Sequence, residues 1–121
     1  MAARLHIVEK VIGGLMIADL RGRITLGPDT EALRNHIHGV LDAGHKRVVL
    51  DLEGVDYIDS AGLSSLIACY VSARKQGAEL KLIHLTKNVH DILQITRLST
   101  VFETYNNLEA ARASFKDAPP A

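Results

Sequence analysis

A chain of 121 residues has room for one domain with a real hydrophobic core, and a formal net charge of zero offers nucleic acid no basic surface. Apolar residues make up 47% and charged residues 23%, an ordinary globular balance, and no apolar run approaches the roughly 18 residues of a membrane span. Met1–His6 lacks the long apolar segment of a secretory leader, and the lone Cys69 has no partner for an internal disulfide, so a cytoplasmic protein without membrane insertion is expected.

Leu5, Ile7 and Val8 suggest a short first strand. Lys10 to Gly14 holds two glycines and reads as a turn, and Leu15–Leu20 reads as a second strand pairing back on the first. After Arg21-Gly22-Arg23 and Ile24-Thr25-Leu26, the run Gly27-Pro28-Asp29-Thr30 marks a helix start. Proline suits the first turn, and the acidic Glu31 suits the positive end of the helix dipole. Leu33, Ile37, Val40 and Leu41 supply that helix with an apolar face, and Gly44 ends it.

Arg47–Leu52 follows as the central strand, its Val48, Val49, Leu50 and Leu52 apolar enough for burial on both faces. A short polar connection leads to a second helix, whose Leu63, Leu66, Ile67, Tyr70 and Val71 repeat at helical spacing until Gln76-Gly77. Cys69 within it reads as a packed small hydrophobe. Leu80, Leu82, Ile83 and Leu85 form another strand, and Thr86 caps a helix bearing Val89, Ile92 and Leu93. Val101–Tyr105 is the last strand candidate, and Asn106 or Asn107 caps a final helix through Phe115. Strands that alternate with helices imply right-handed crossovers and a mostly parallel sheet, here with an antiparallel edge. The expectation is a single α/β domain over residues 1–117 with about five mixed strands, and a frayed tail at 118–121.

The chemistry concentrates in Asp59-Ser60-Ala61-Gly62, between the central strand and the second helix. Three readings compete. Asp59 or Ser60 caps the helix and nothing more. Ser60 is a nucleophile, since strand–serine–helix resembles the G-x-S-x-G elbow; but Ile58 replaces the first glycine, and no spacing singles out His84 or His90 as the base. Or Ser60 is a phosphorylation switch, where a dianion at a helix N-terminus is tolerated by the fold and acts on a partner by repulsion and bulk.

Asp59-Ser60-Ala61-Gly62-Leu63, preceded by Val48–Leu52 and Val55–Ile58, resembles the signature of the STAS family, specifically its bacterial anti-sigma factor antagonists. In that family a D-S-[S/T]-G-L segment follows a buried strand, and its first serine is phosphorylated. Gly22–Thr25, Gly77–Leu82, and Val89–Leu93 with Leu98, Val101 and Phe102 are similar to further family segments, so the likeness covers most of the chain. Ala61, Ser64 and Thr25 stand where the family often has Ser or Thr, Gly, and Asp.

The resemblance implies a non-enzymatic regulator that binds an anti-sigma factor acting also as a serine kinase, and so frees a sigma factor for transcription. Ser60 would be the phosphoacceptor, a serine phosphatase would reset it, and Thr25, Asp59, Ser60, Ala61, Gly62 and Leu63 would contact the partner. The alternatives are a phosphorylation-independent STAS scaffold, or a subunit of a signalling or lipid-transport complex. A homodimer is compatible with the sequence.

No cofactor or metal is expected. His36 and His38 are two apart on a helix and point to different faces. Asp51, Asp56 and Asp59 are close in sequence but fall in strand and connection. Arg74, Lys75, Lys81 and Lys87 read as a solvated face, and Gly13-Gly14 lacks a phosphate-binding pattern.

Overall fold

A computed structural model describes residues 5–115. Strands β1 (His6–Ile12) and β2 (Leu15–Ile24) form an antiparallel hairpin. The turn is Gly13-Gly14 alone, with φ of 58° and 81°, the left-handed pair that a two-residue type I′ turn requires. Lys10–Ile12, expected to turn, therefore stays in the strand.

Helix α1 (Pro28–Asp42) crosses over to β3 (Arg47–Ile58), and α2 (Ser60–Lys75) leads to β4 (Glu79–Ile83). Helix α3 (Lys87–Ile95), a 3-10 turn at Leu98–Thr100, β5 (Thr104–Tyr105) and α4 (Leu108–Ser114) complete the described chain. The sheet order is β1-β2-β3-β4-β5, parallel from β2 to β5. This is the expected single α/β domain with a five-stranded mixed sheet, and it carries four α-helices among the described residues.

Alternation along the strands divides the interior in two. Ala18, Leu20, Leu50, Leu52 and Leu82 pack with Leu33, Ile37, Leu66 and Leu93 in a broad core shared by α1, α2 and α3. Leu15, Ile17, Val49 and Ile83 face the other way and pack under Ala111 and Phe115 at α4.

Several features differ from expectation, beginning with β2, which runs past Leu20 to Ile24. Strand β3 does not stop at Leu52: residues through Ile58 keep pairing with β2, as Arg21 with Gly54 and Ile24 with Ile58. Register shifts between Asp19 and Arg21 and between Gly22 and Arg23 absorb the mismatch. Such bulges break the period-of-two pattern, so Glu53–Tyr57 reads as a connection. A Cβ on Gly54 would lie 2.8 Å from Arg21 Cγ and 3.0 Å from the Leu20 carbonyl oxygen.

The buried face of α2 is also rotated. Gly62, Ser65, Leu66, Cys69 and Ala73 face inward, while Leu63, Ile67 and Tyr70 are half-buried and Val71 is exposed. Small residues face the sheet because the helix lies close to it, and the larger ones cover its flanks. Finally, β5 keeps only Thr104–Tyr105: the 3-10 turn takes up Leu98–Thr100, and Phe102 turns into the broad core. The expected tail at 118–121 lies outside the described residues.

Candidate partner-binding loop

Strands β2 and β3 end side by side, Ile24 paired with Ile58, and the chain leaving each is tied to the other. The Asp59 N–H donates to the Ile24 carbonyl at 3.3 Å. The Asp59 backbone is extended, and its Oδ1 accepts from the Gly62 N–H at 2.7 Å, which makes it the N-cap of α2. Its Oδ2 accepts from the Leu26 N–H at 3.0 Å. One carboxylate thus joins the start of α2 to the loop after β2. These donations, from Leu26 and then Gly62, hold the Asp59 carboxyl below the usual carboxylate range.

The capping task falls to Asp59, which leaves Ser60 without it. Ser60 is the first residue of a 16-residue helix and is exposed. Its hydroxyl makes no hydrogen bond to another described residue.

Gly62 is fixed by space. A Cβ there would come within 2.0 Å of the Ile24 carbonyl oxygen and 2.8 Å of Ile58 Cγ1. Glycine lets α2 begin in contact with the ends of both strands. Thr25 lies in the neighbouring loop, its hydroxyl donating to Asp29 Oδ2 at 2.9 Å, while the buried Asp29 also takes the Leu5 N–H at 3.2 Å. Thr25 therefore lies on a loop laced through Asp59 to the first turn of α2, which carries Ser60 and Gly62; Ala61 and Leu63 are half-buried beside them, and Leu63 leans on the broad core.

Two neighbours escaped the sequence reading. Leu26 is 77% exposed next to the Asp59 contact, and Tyr57 is 49% exposed with the Arg23 guanidinium 6.0 Å from its ring centre. An apolar residue in a short loop before Gly-Pro was the available signal for Leu26. Tyr57 was hidden because its strand had been read as a connection.

The other candidate clusters disperse. His84 Nδ1 lies 3.2 Å from Asp51, and His90 Nδ1 lies 3.6 Å from Asp91, so neither stands as a base for Ser60. His36 meets Glu9 at 3.0 Å, while His38 lies 3.4 Å from Ser72 Oγ. Asp51, Asp56 and Asp59 do not converge: Asp51 faces His84, Asp59 faces backbone amides, and Asp56 offers its carbonyl to Asn88. Cys69 is buried, which pushes its thiol up to about 12 and leaves it inert. Lys81 corrects the expectation of a solvated cation. It is 2% exposed, held 2.7 Å from Glu103 and 3.3 Å from Glu79, and it donates to the Ser114 carbonyl at 3.1 Å.

Comparison with known sequences and structures places this architecture. The STAS domain profile matches residues 6–111, and the chain belongs to the STAS domain family. A relative in Bordetella bronchiseptica, provisionally named anti-sigma factor antagonist BtrV, is 37% identical over 109 residues, covering 90% of this chain and 93% of that protein. The crystal structure of an anti-sigma factor antagonist from Mycobacterium paratuberculosis superposes with a TM-score of 0.82 at 22% identity, covering 97% of this chain and all of that one (100%). The phosphorylated form of the Bacillus cell fate determinant SpoIIAA superposes with a TM-score of 0.67 at 14% identity, covering 92% of this chain and 99% of that one. Among the described residues, no helix is long and apolar enough to cross a membrane.

Proposed function

We propose that the chain is an anti-sigma factor antagonist. It docks Thr25 and the segment Asp59, Ser60, Ala61, Gly62 and Leu63 onto an anti-sigma factor that is also a serine kinase, and phosphorylation of Ser60 ends the contact. The observation that carries this reading is the division of labour at the start of α2. Asp59 caps the helix and braces the loop, while the Ser60 hydroxyl stays exposed and bears no structural bond.

In the kinase reaction the Ser60 oxygen bonds to the terminal phosphorus of ATP. The bond between that phosphorus and the bridging oxygen breaks, ADP leaves, and a kinase base takes the hydroxyl proton. The product carries about −1.5 to −2 charge at neutral pH. At a helix N-terminus the fold accepts this charge, but a partner would have to desolvate it in the interface. A serine phosphatase restores the hydroxyl. The protein has no enzymatic role in this cycle, works in the cytoplasm, and needs no cofactor or nucleic-acid contact. The naming of the Bordetella relative as an anti-sigma factor antagonist and the existence of a phosphorylated SpoIIAA support the reading.

Its test is the pair Ser60→Ala and Ser60→Asp. Ser60→Asp is expected to weaken kinase binding at least about tenfold while its melting temperature stays near wild type, since exposed substitutions cost within about 0.5 kcal/mol. Ser60→Ala is expected to bind and to resist phosphorylation. Equal binding by both variants would leave Ser60 a mere surface residue and favour a phosphorylation-independent scaffold.

A further inference from the structure

On the sheet face opposite α2, Asp51 on β3 pairs in register with Ile83 of β4, which brings His84, the next residue, against Asp51 and Glu53. His84 Nδ1 lies 3.2 Å from Asp51 Oδ1 and 3.9 Å from Glu53 Oε2, and the three donor atoms all fall within 4.8 Å of one another. Ligands of a tetrahedral zinc ion, bound at about 2.0–2.2 Å, stand roughly 3.3 Å apart. The His84–Asp51 edge already has that length. Glu53, with 78% of its side chain exposed, is free to close the remaining gap.

Charge points the same way. Asp19 is the register partner of Asp51 on β2, so it shares this face, and only 10% of its side chain is exposed. Arg21 is bound to Asp19 at 3.1 Å, and Lys81, also on this side, is committed to Glu79 and Glu103. Asp51 and Glu53 are therefore in excess over the local permanent cations. The scaffold is firm: the Glu53 N–H donates to Asp51 Oδ1 at 3.1 Å, and the His84 N–H donates to the Tyr105 carbonyl at 3.3 Å. A ligand carboxylate held by such a hydrogen bond keeps its orientation.

We propose that Asp51, Glu53 and His84 form a site for a divalent transition-metal ion such as Zn²⁺, with water completing its coordination on the exposed side. One imidazole nitrogen with two carboxylates suits zinc; Mg²⁺ and Ca²⁺ take oxygen ligands. The ion would join β3 to the exit of β4. The site lies on the face away from Ser60 and does not depend on the proposed switch.

Untagged protein freed of metal with a chelator should be titrated with ZnCl₂ by calorimetry and by thermal melting, beside MgCl₂ and CaCl₂. One zinc per chain is expected, with a rise in melting temperature that Mg²⁺ and Ca²⁺ do not produce. Glu53→Gln, an exposed change that leaves the fold intact, and His84→Gln should each weaken zinc at least about tenfold. Absence of saturable zinc binding overturns the site. So does affinity unchanged in both variants, equal binding of Mg²⁺, or zinc binding lost in His36→Gln and kept in His84→Gln.

Discussion

The two faces of the sheet are built on different principles. The broad face lies under α1, α2 and α3, and its strand residues are apolar, from Leu20 and Leu50 to Leu82, with the buried Asp29, Thr30 and Ser65 confined to the covering helices. The narrow face has α4, seven residues long, over Leu15, Ile17, Val49 and Ile83. Buried charge fills much of the remainder, with Lys81 2% and Asp19 7% exposed. Burial alone would lower the Lys81 pKa, yet the hydrogen bond and charge of Glu103, with help from Tyr105 and Glu79, raise it overall. The ammonium also lies 4.7 Å from the centre of the Phe115 ring. The broad face is held by fit of volume, and the narrow one by satisfied polar partners. A short helix cannot bury enough apolar area to be held by it alone.

That contrast can be broken first at Gly62. Gly62→Ala puts a methyl group against the Ile24 carbonyl oxygen, where backbone must move. Overpacking of this kind should cost about 3 kcal/mol and lower the melting temperature by roughly 10 °C. A wild-type melting temperature would show that α2 shifts without cost.

Lys81→Met sharpens the comparison from the other side. It keeps the apolar stem but gives up the Glu103 and Ser114 contacts, while Glu79 and Glu103 are exposed enough to rehydrate. A loss of about 1 kcal/mol is expected, with faster amide exchange confined to α4. Faster exchange throughout α2 as well would deny the separation of the two faces.

Asp59→Ala should cost about 1 kcal/mol, as lost N-caps do. The lowered pKa of Asp59 sets the direction with pH. Its contribution is full above the ordinary value of 3.8 and fades as pH falls through its lower folded value. Wild type and Asp59→Ala should therefore converge in urea midpoint in strong acid and separate near neutrality. A constant difference down to acid would assign the effect to packing.

Regular periodicity made the apolar face of α1 legible: Leu33, Ile37, Val40 and Leu41 are all buried as expected. Thr86 was legible as a cap, and Asn107 as one of two candidates with Asn106, because a short polar side chain before a helix has one common task. The outward half of β3 was not legible, because its register shifts remove the alternation that marks a strand. The rotation of α2 was hidden for a different reason. Its inward residues are chosen for smallness against a close sheet: Cys69 was legible as a packed small hydrophobe, but Gly62 and Ser65 do not announce themselves by hydropathy. At the loop, Ser60 and Gly62 stood out as residue types. That Asp59 reaches back to Leu26 depends on a contact 33 residues away in sequence. The same distance in sequence concealed Lys81, whose partner carbonyl belongs to Ser114, and the meeting of His84 with Asp51.

The hairpin strand β1 ends the sheet, and among the described residues nothing pairs with its outer row of amides and carbonyls, a route to aggregation. In a two-fold antiparallel pairing of two copies that keeps the sheet faces aligned, the full seven-residue overlap of β1 centres on Glu9. That register sets Glu9 opposite Glu9, next to the exposed Val8, Val11 and Ile12. Glu9→Val removes the guard from that register. Light scattering of concentrated Glu9→Val protein should rise faster than that of wild type, and equal scattering would mean the edge is protected by other means. One acidic residue at the centre of a strand rich in valine and isoleucine thus bears on how densely the protein can be packed in solution.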